Sequence, residues 1–116
     1  PLAVIRCWNL DDMPPGLLWR DGYVASTDEV SATIEQQLRT SLAHTAVAHP
    51  DVESSYSGLH GGAADTLVRV AQDATLLVLG SRGRGGFSSL LLGSVSAHCA
   101  RLAACPTLIV PQHPRV

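Results

Sequence analysis

Residues 76–111 read LLVLGSRGRGGFSSLLLGSVSAHCARLAACPTLIVP, and this stretch decides the fold. The run Thr75–Leu79 is apolar after its first residue, as expected of a central parallel strand that is covered on both faces. A long loop rich in Gly, Ser and Arg follows at Gly80–Leu92. Thr107–Val110 is a last apolar strand. Spacing of i, i+3, i+4 and i+7 predicts a helix between loop and strand, with one face carrying Val95, His98, Cys99 and Leu102.

The same alternation of strands and helices extends towards the N-terminus. Leu2–Trp8 is a short apolar run with β-branched members, which predicts a buried strand. Asn9–Gly22 is rich in Asp, Pro and Gly and has no periodic pattern, so we expect a loop. Ser26 followed by Glu29 has the pattern of a capping box, and Pro50 ends the helix of about five turns that starts there. The apolar stripe of that helix is Val30, Ile34, Leu38, Leu42 and Ala46.

Val52–Leu59 alternates imperfectly and predicts a polar strand at a sheet edge. Gly61-Gly62 marks a turn before a second amphipathic helix. The stripe of that helix is Ala64, Leu67, Val68 and Ala71. The order β-α-β-α-β-α-β predicts an α/β protein, an open parallel sheet with helices on both faces. A chain of 116 residues has room for one core, so we expect a single domain over residues 1–116.

Composition excludes several classes of function. Apolar residues make up 46% and charged residues 16% of the chain, which is a globular composition. The formal net charge of −2 argues against a nucleic-acid partner, because such proteins carry a basic surplus. The three cysteines fit neither a zinc site nor a disulfide framework, which favours a reducing, cytoplasmic compartment. No apolar run is long enough to span a membrane, and from its opening residues we expect no signal peptide.

The Gly-rich loop suits a chain of phosphates. Ligands of open α/β sheets bind beyond the carboxyl ends of the strands, and this loop begins at such an end. Glycines let backbone N–H groups turn towards an anion, and a helix starting near Ser94 adds free N–H groups and the positive end of its dipole. The hydroxyls of Ser94 and Ser96 can donate to phosphate oxygens, and Arg82 or Arg84 can add charge. Three alternatives stay open: the Gly-rich loop as only a flexible connection, Ser94 as an N-cap, and both arginines as solvated loop residues.

The spacing of this loop resembles a known signature. It is neither a Walker A loop nor the dinucleotide fingerprint of a Rossmann fold. Gly80-x2-Gly83-x9-Gly93-Ser94 is similar to the nucleotide-binding signature of the ATP-binding subtype of the universal stress protein family. The resemblance covers roughly residues 1–111 and is diffuse before Val52. It implies the adenine-nucleotide alpha hydrolase-like fold and binding of ATP, with Mg²⁺.

The resemblance also implies roles for individual residues. Gly80 and Gly83 would line the ribose and the phosphates. Gly93, Ser94 and Val95 would bind the terminal phosphates, Ser94 partly through its hydroxyl.

The resemblance implies two further positions of the nucleotide site: Ser96 matches a second small hydroxyl residue, and Cys7 matches a position that often packs on the adenine. Arg84 is added to the site for its charge within the same loop. The scattered histidines have no ligand spacing, and no Ser–His–Asp set can be assembled. We therefore expect no catalytic residue and at most a slow ATPase.

The sequence departs from the family at its start. Members begin with a strand and an Asp-containing turn whose carboxylate contacts the adenine, and their strand order is 3-2-1-4-5. This chain shows neither feature, so we expect the family's first strand and helix to be absent from it, either lost or lying before Pro1. Without them, Leu2–Trp8 and Thr75–Leu79 would have no strand between them. Because unpaired backbone groups in a core are costly, we expect about 40 further residues before Pro1, the usual length of a βαβ unit.

Three hypotheses for the function follow. In the first, the chain is an ATP-binding regulatory module of the stress response and a homodimer through the last strand, Thr107–Val110. In the second, it is a dimeric scaffold that does not hold nucleotide. In the third, it is an ATP-using enzyme of the wider fold group, which would need a second motif such as SGGxDS, and the sequence contains none.

Overall fold

The computed structural model describes residues 1–13, 15–20, 22–81 and 92–111. Contacts between residues divide the chain into two compact units, Pro1–Gly62 and Ala63–Val116. Parallel strands alternate with helices in the described ranges, which confirms the predicted α/β class. The expectation of a single domain stays a prediction.

The first unit is built on a parallel pair of strands. Its elements are β1 (Leu2–Trp8), α1 (Pro15–Leu18), β2 (Trp19–Arg20), β3 (Tyr23–Val24), α2 (Thr27–Ser41), α3 (Ala43–Ala48) and β4 (Ser54–His60). A short 3-10 turn, Leu10–Asp12, precedes α1. β1 runs parallel to β4, from Leu2 opposite Ser54 to Trp8 opposite His60. α2 packs chiefly against β4, and β2 and β3 form a small antiparallel hairpin.

The core of the first unit lies under α2. Val30 and Ile34, one turn apart on the predicted stripe, are 1% and 0% exposed and pack with Trp8. The predicted capping box is confirmed: Ser26 Oγ accepts from the N–H of Glu29 at 3.2 Å, and the Ser26 N–H donates to the Glu29 carboxylate at 3.3 Å. The cap and the buried stripe together fix where α2 begins and which face it turns to the sheet.

Three predictions for the first unit are wrong in part. The expected single helix is interrupted at Leu42, whose backbone leaves the helical region, and α3 buries no side chain that could hold it in line with α2. The expected loop at Asn9–Gly22 contains α1 and half of a hairpin, whose turn includes Gly22 at φ +85°. β1 was expected to be buried, but of its side chains Trp8 alone is buried, because α2 lies over β4 instead.

The second unit is built on a second parallel pair. Its elements are α4 (Ala63–Val70), β5 (Leu77–Gly80), α5 (Ser94–Leu102) and β6 (Thr107–Val110), with a 3-10 turn at Ala71–Asp73 after α4. β5 pairs with β6 from Leu77 opposite Thr107 to Gly80 opposite Val110. The predicted bounds of β6 are confirmed, whereas β5 begins two residues later than expected. Thr66, Ala71 and Cys99 are buried.

The prediction that Thr75–Leu79 is a central strand covered on both faces is wrong for the described residues. Among them, β5 pairs with β6 alone, and Val78 and its neighbour Leu108 are each 51% exposed. β1 likewise has β4 as its one described partner. The expected segment before Pro1 stays a prediction.

Candidate functional site

The candidate site is the junction between the carboxyl end of β5 and the start of α5. Ser81 follows β5 directly, and its N–H donates to the carbonyl of Val110 at 2.9 Å, which continues the β5–β6 ladder. The carbonyl of Ser81 accepts the N–H of Gly93 at 2.7 Å. Ser81 therefore links the end of β5 to the start of α5 through backbone hydrogen bonds.

Ser96 strengthens the same junction. Its hydroxyl donates to the carbonyl of Ser81 at 3.0 Å and lies 3.2 Å from the carbonyl of Gly93. Ser96 is 3% and Ser81 7% exposed, so these contacts are shielded from water. Its predicted contact with phosphate stays a prediction.

The start of α5 lies next to this junction. The N-cap residue is Gly93, not Ser94, with φ −69° and ψ 167°, and no side chain caps the helix among the described residues. Ser94 is therefore the first helical residue; it is exposed, and Val95 behind it is half-buried. The first N–H groups of a helix lack intrahelical partners and lie at the positive end of its dipole. A negatively charged ligand fits such an end.

The remaining predicted site residues lie elsewhere or outside the described ranges. Gly80 is the exposed last residue of β5, next to the junction. Gly83 and Arg84, with Arg82, lie outside the described residues, and their roles stay predictions. Cys7 is half-buried in β1 of the first unit, and its predicted packing on adenine also stays a prediction.

Two contacts that the sequence did not predict hold α5 against α4. His98 Nε2 lies 3.2 Å from Asp65 Oδ1, and the thiol of Cys99 points at the carbonyl of Ala64 at 3.9 Å. Burial raises the pKa of the Cys99 thiol, so this cysteine stays protonated and behaves as a small apolar residue. Residues one position apart on α5 thus contact consecutive residues of α4. For the contact between His98 and Asp65, the sequence offered one signal: an acidic residue in the first turn of one predicted helix and a histidine on the apolar face of the next.

The described part of the chain offers no ready metal site. No three His, Cys, Asp or Glu side chains converge within it.

Comparison with known proteins now decides the family. The model of the universal stress protein family matches residues 9–111. This chain belongs to the universal stress protein family. A universal stress protein of Mycolicibacterium smegmatis is 34% identical over 111 residues, covering 94% of this chain and 35% of that protein. One from Mycobacterium tuberculosis is 31% identical over 110 residues, covering 93% of this chain and 34% of that protein.

A second class of relatives matches a shorter stretch. A universal stress protein of Mycobacterium bovis is 40% identical over 57 residues, which is 49% of this chain and 18% of that protein. The chain spans about a third of the length of the first two relatives.

The described α/β structure fits the nucleotide alpha hydrolase-like fold of this family, whose name indicates a role in the stress response. As for membranes, none of the helices in the described ranges combines the length and apolar character needed to cross one.

Proposed function

We propose that this universal stress protein binds ATP together with Mg²⁺ and acts as a nucleotide-dependent regulatory module in the stress response. One observation carries the proposal: the start of α5, which no described side chain caps, is held beside the carboxyl end of β5 by the hydrogen bond from Gly93 to Ser81. Uncapped N–H groups at the edge where α/β proteins bind ligands suit the terminal phosphates of a nucleotide.

The proposed contacts divide the nucleotide between backbone and side chains. The N–H groups of Ser94 and Val95, with the Ser94 hydroxyl, take the terminal phosphates, and Gly80 borders the ribose. Gly83 and Arg84 take phosphates from the loop. Mg²⁺ neutralises charge on the phosphates when bound. Hydrolysis is at most slow in this scheme, because the sequence offers no evident general base.

Gly93→Ala is the sharpest test. The backbone of Gly93 is extended, a conformation that alanine adopts without strain, so the variant should fold. Its methyl group would stand where phosphate approaches the helix start, and we expect at least a tenfold loss of affinity for ATP with Mg²⁺ in isothermal titration calorimetry. Gly62→Ala is the matched control, since a methyl group at Gly62 meets no atom within 4 Å. Equal affinities of the two variants would contradict the proposed site.

A folded wild-type protein that binds no ATP would favour the alternative function, a dimeric stress-response scaffold without nucleotide. Both functions include a cytoplasmic homodimer formed through β6. Support for the dimer comes from the described residues, in which β6 has one partner strand and exposes Leu108 and Val110.

A further inference from the structure

The carbonyl of Ser81 receives two hydrogen bonds from the start of α5. One comes from the N–H of Gly93 at 2.7 Å and the other from the hydroxyl of Ser96 at 3.0 Å. On its other side, the N–H of Ser81 donates to Val110 of β6 at 2.9 Å. Ser81 therefore ties the first turn of α5 to the β5–β6 ladder.

The hydroxyl of Ser96 has one proton to donate, and two main-chain carbonyls lie within hydrogen-bonding distance of its oxygen. Both acceptors within reach, at Ser81 and Gly93, lie 3.2 Å away or less. At 3% exposure the side chain is shielded from solvent, whereas Ser94, two positions earlier, is exposed. A hydroxyl committed to carbonyl acceptors has no proton left for a phosphate oxygen.

We infer that Ser96 is a positioning residue. Its hydroxyl fixes the start of α5 against the end of β5, and thereby sets the direction of the N–H groups of Ser94 and Val95. Loss of the hydroxyl removes one of the two described hydrogen bonds that bring Ser81 and the start of α5 together, which weakens this junction. The consequence for nucleotide rests on the function proposed above, but the effect on the junction does not.

The first experiment measures hydrogen exchange of the Gly93 amide in the nucleotide-free protein. We expect Ser96→Ala to speed this exchange about threefold to tenfold, the equivalent of one ordinary hydrogen bond. Ser55→Ala is the matched control, because Ser55 is an exposed serine of β4. Ser96→Thr and Ser96→Val form a second pair of equal shape, of which only threonine keeps the hydroxyl. If Ser96→Ala fails to fold, the comparison of Thr with Val decides.

The second experiment measures affinity for ATP with Mg²⁺ on the same variants. Positioning predicts a loss of about threefold to tenfold in Ser96→Ala and Ser96→Val, recovery in Ser96→Thr, and faster Gly93 exchange wherever affinity falls. Weaker binding in Ser96→Ala with unchanged Gly93 exchange would overturn the inference, because it indicates direct contact with phosphate. If the wild type binds no ATP, the proposed function fails, and Gly93 exchange still decides the role of Ser96.

Discussion

At the scale of single residues, Gly58 shows how closely α2 approaches β4. A Cβ atom added there would stand 2.8 Å from the carbonyl oxygen of Ser31 and 3.0 Å from the side chain of Ile34. Ile34 is fully buried, so neither neighbour can move away without disturbing the core. Glycine at this position lets the helix lie directly on the strand.

Gly58→Ala should therefore destabilise the protein by about 1–3 kcal/mol, the usual cost of overpacking a core. Urea denaturation followed by circular dichroism measures the loss. Gly62→Ala is the control, because nothing lies within 4 Å of a Cβ atom there. Equal stability of the two variants would mean that α2 does not approach β4 this closely in solution.

Also at the scale of single residues, two features of the site could not be predicted from the sequence: the N-cap of α5 and the hydrogen bond from Ser96. Gly93 and Ser94 are adjacent, and both are residue types that cap helices, so the sequence could not tell which one does. The structure selects Gly93, whose carbonyl accepts the N–H of Ala97 at 3.0 Å. The buried bond from Ser96 to Ser81 joins positions fifteen apart in the chain, and no local pattern announces such a contact.

At the scale of elements, the start of α2 is specified locally and its end is not. The Ser26–Glu29 capping box lies within four residues, so the sequence shows it directly. The stripe continues past Leu42 in the sequence, but burial stops: Leu38 packs against the core, whereas Ala46 is exposed. Periodicity predicts a helical face, and only tertiary packing decides how far that face is covered. β5 is also apolar throughout, yet Val78 on one of its faces is exposed, because packing and not the sequence pattern decides which face is covered.

Ser26→Ala tests how much the N-cap of α2 contributes to the free energy of unfolding. The variant leaves the Glu29 N–H without its side-chain acceptor, so we expect a loss of about 1 kcal/mol in the free energy of unfolding. Ser41→Ala, at the exposed last position of α2, is the control and should change stability little. Urea titrations of the two variants, compared with wild type, measure the difference. A loss in Ser26→Ala no greater than in Ser41→Ala would show that α2 does not depend on this cap.

At the scale of the whole molecule, the proposed homodimer depends on which groups β6 turns away from β5. Pro106 and Val110 accept hydrogen bonds from Leu77 and Ser81, so the N–H and C=O groups of the alternate residues, Thr107 and Ile109, point to the open edge. A second copy pairing along this edge would use those groups and would leave the β5–β6 ladder intact.

Thr107→Pro removes one outward N–H without touching a bond to β5, and its fixed φ is tolerated at the first residue of an edge strand. If two copies pair along β6, wild type should sediment as a dimer and Thr107→Pro as a monomer, or as a dimer at least tenfold weaker. Thr107→Val keeps the N–H and the shape of threonine, so it should remain dimeric. A dimer unaffected by proline would place the contact on another surface. A monomeric wild type would remove the dimer from both proposed functions and leave nucleotide binding to be judged by Gly93→Ala alone.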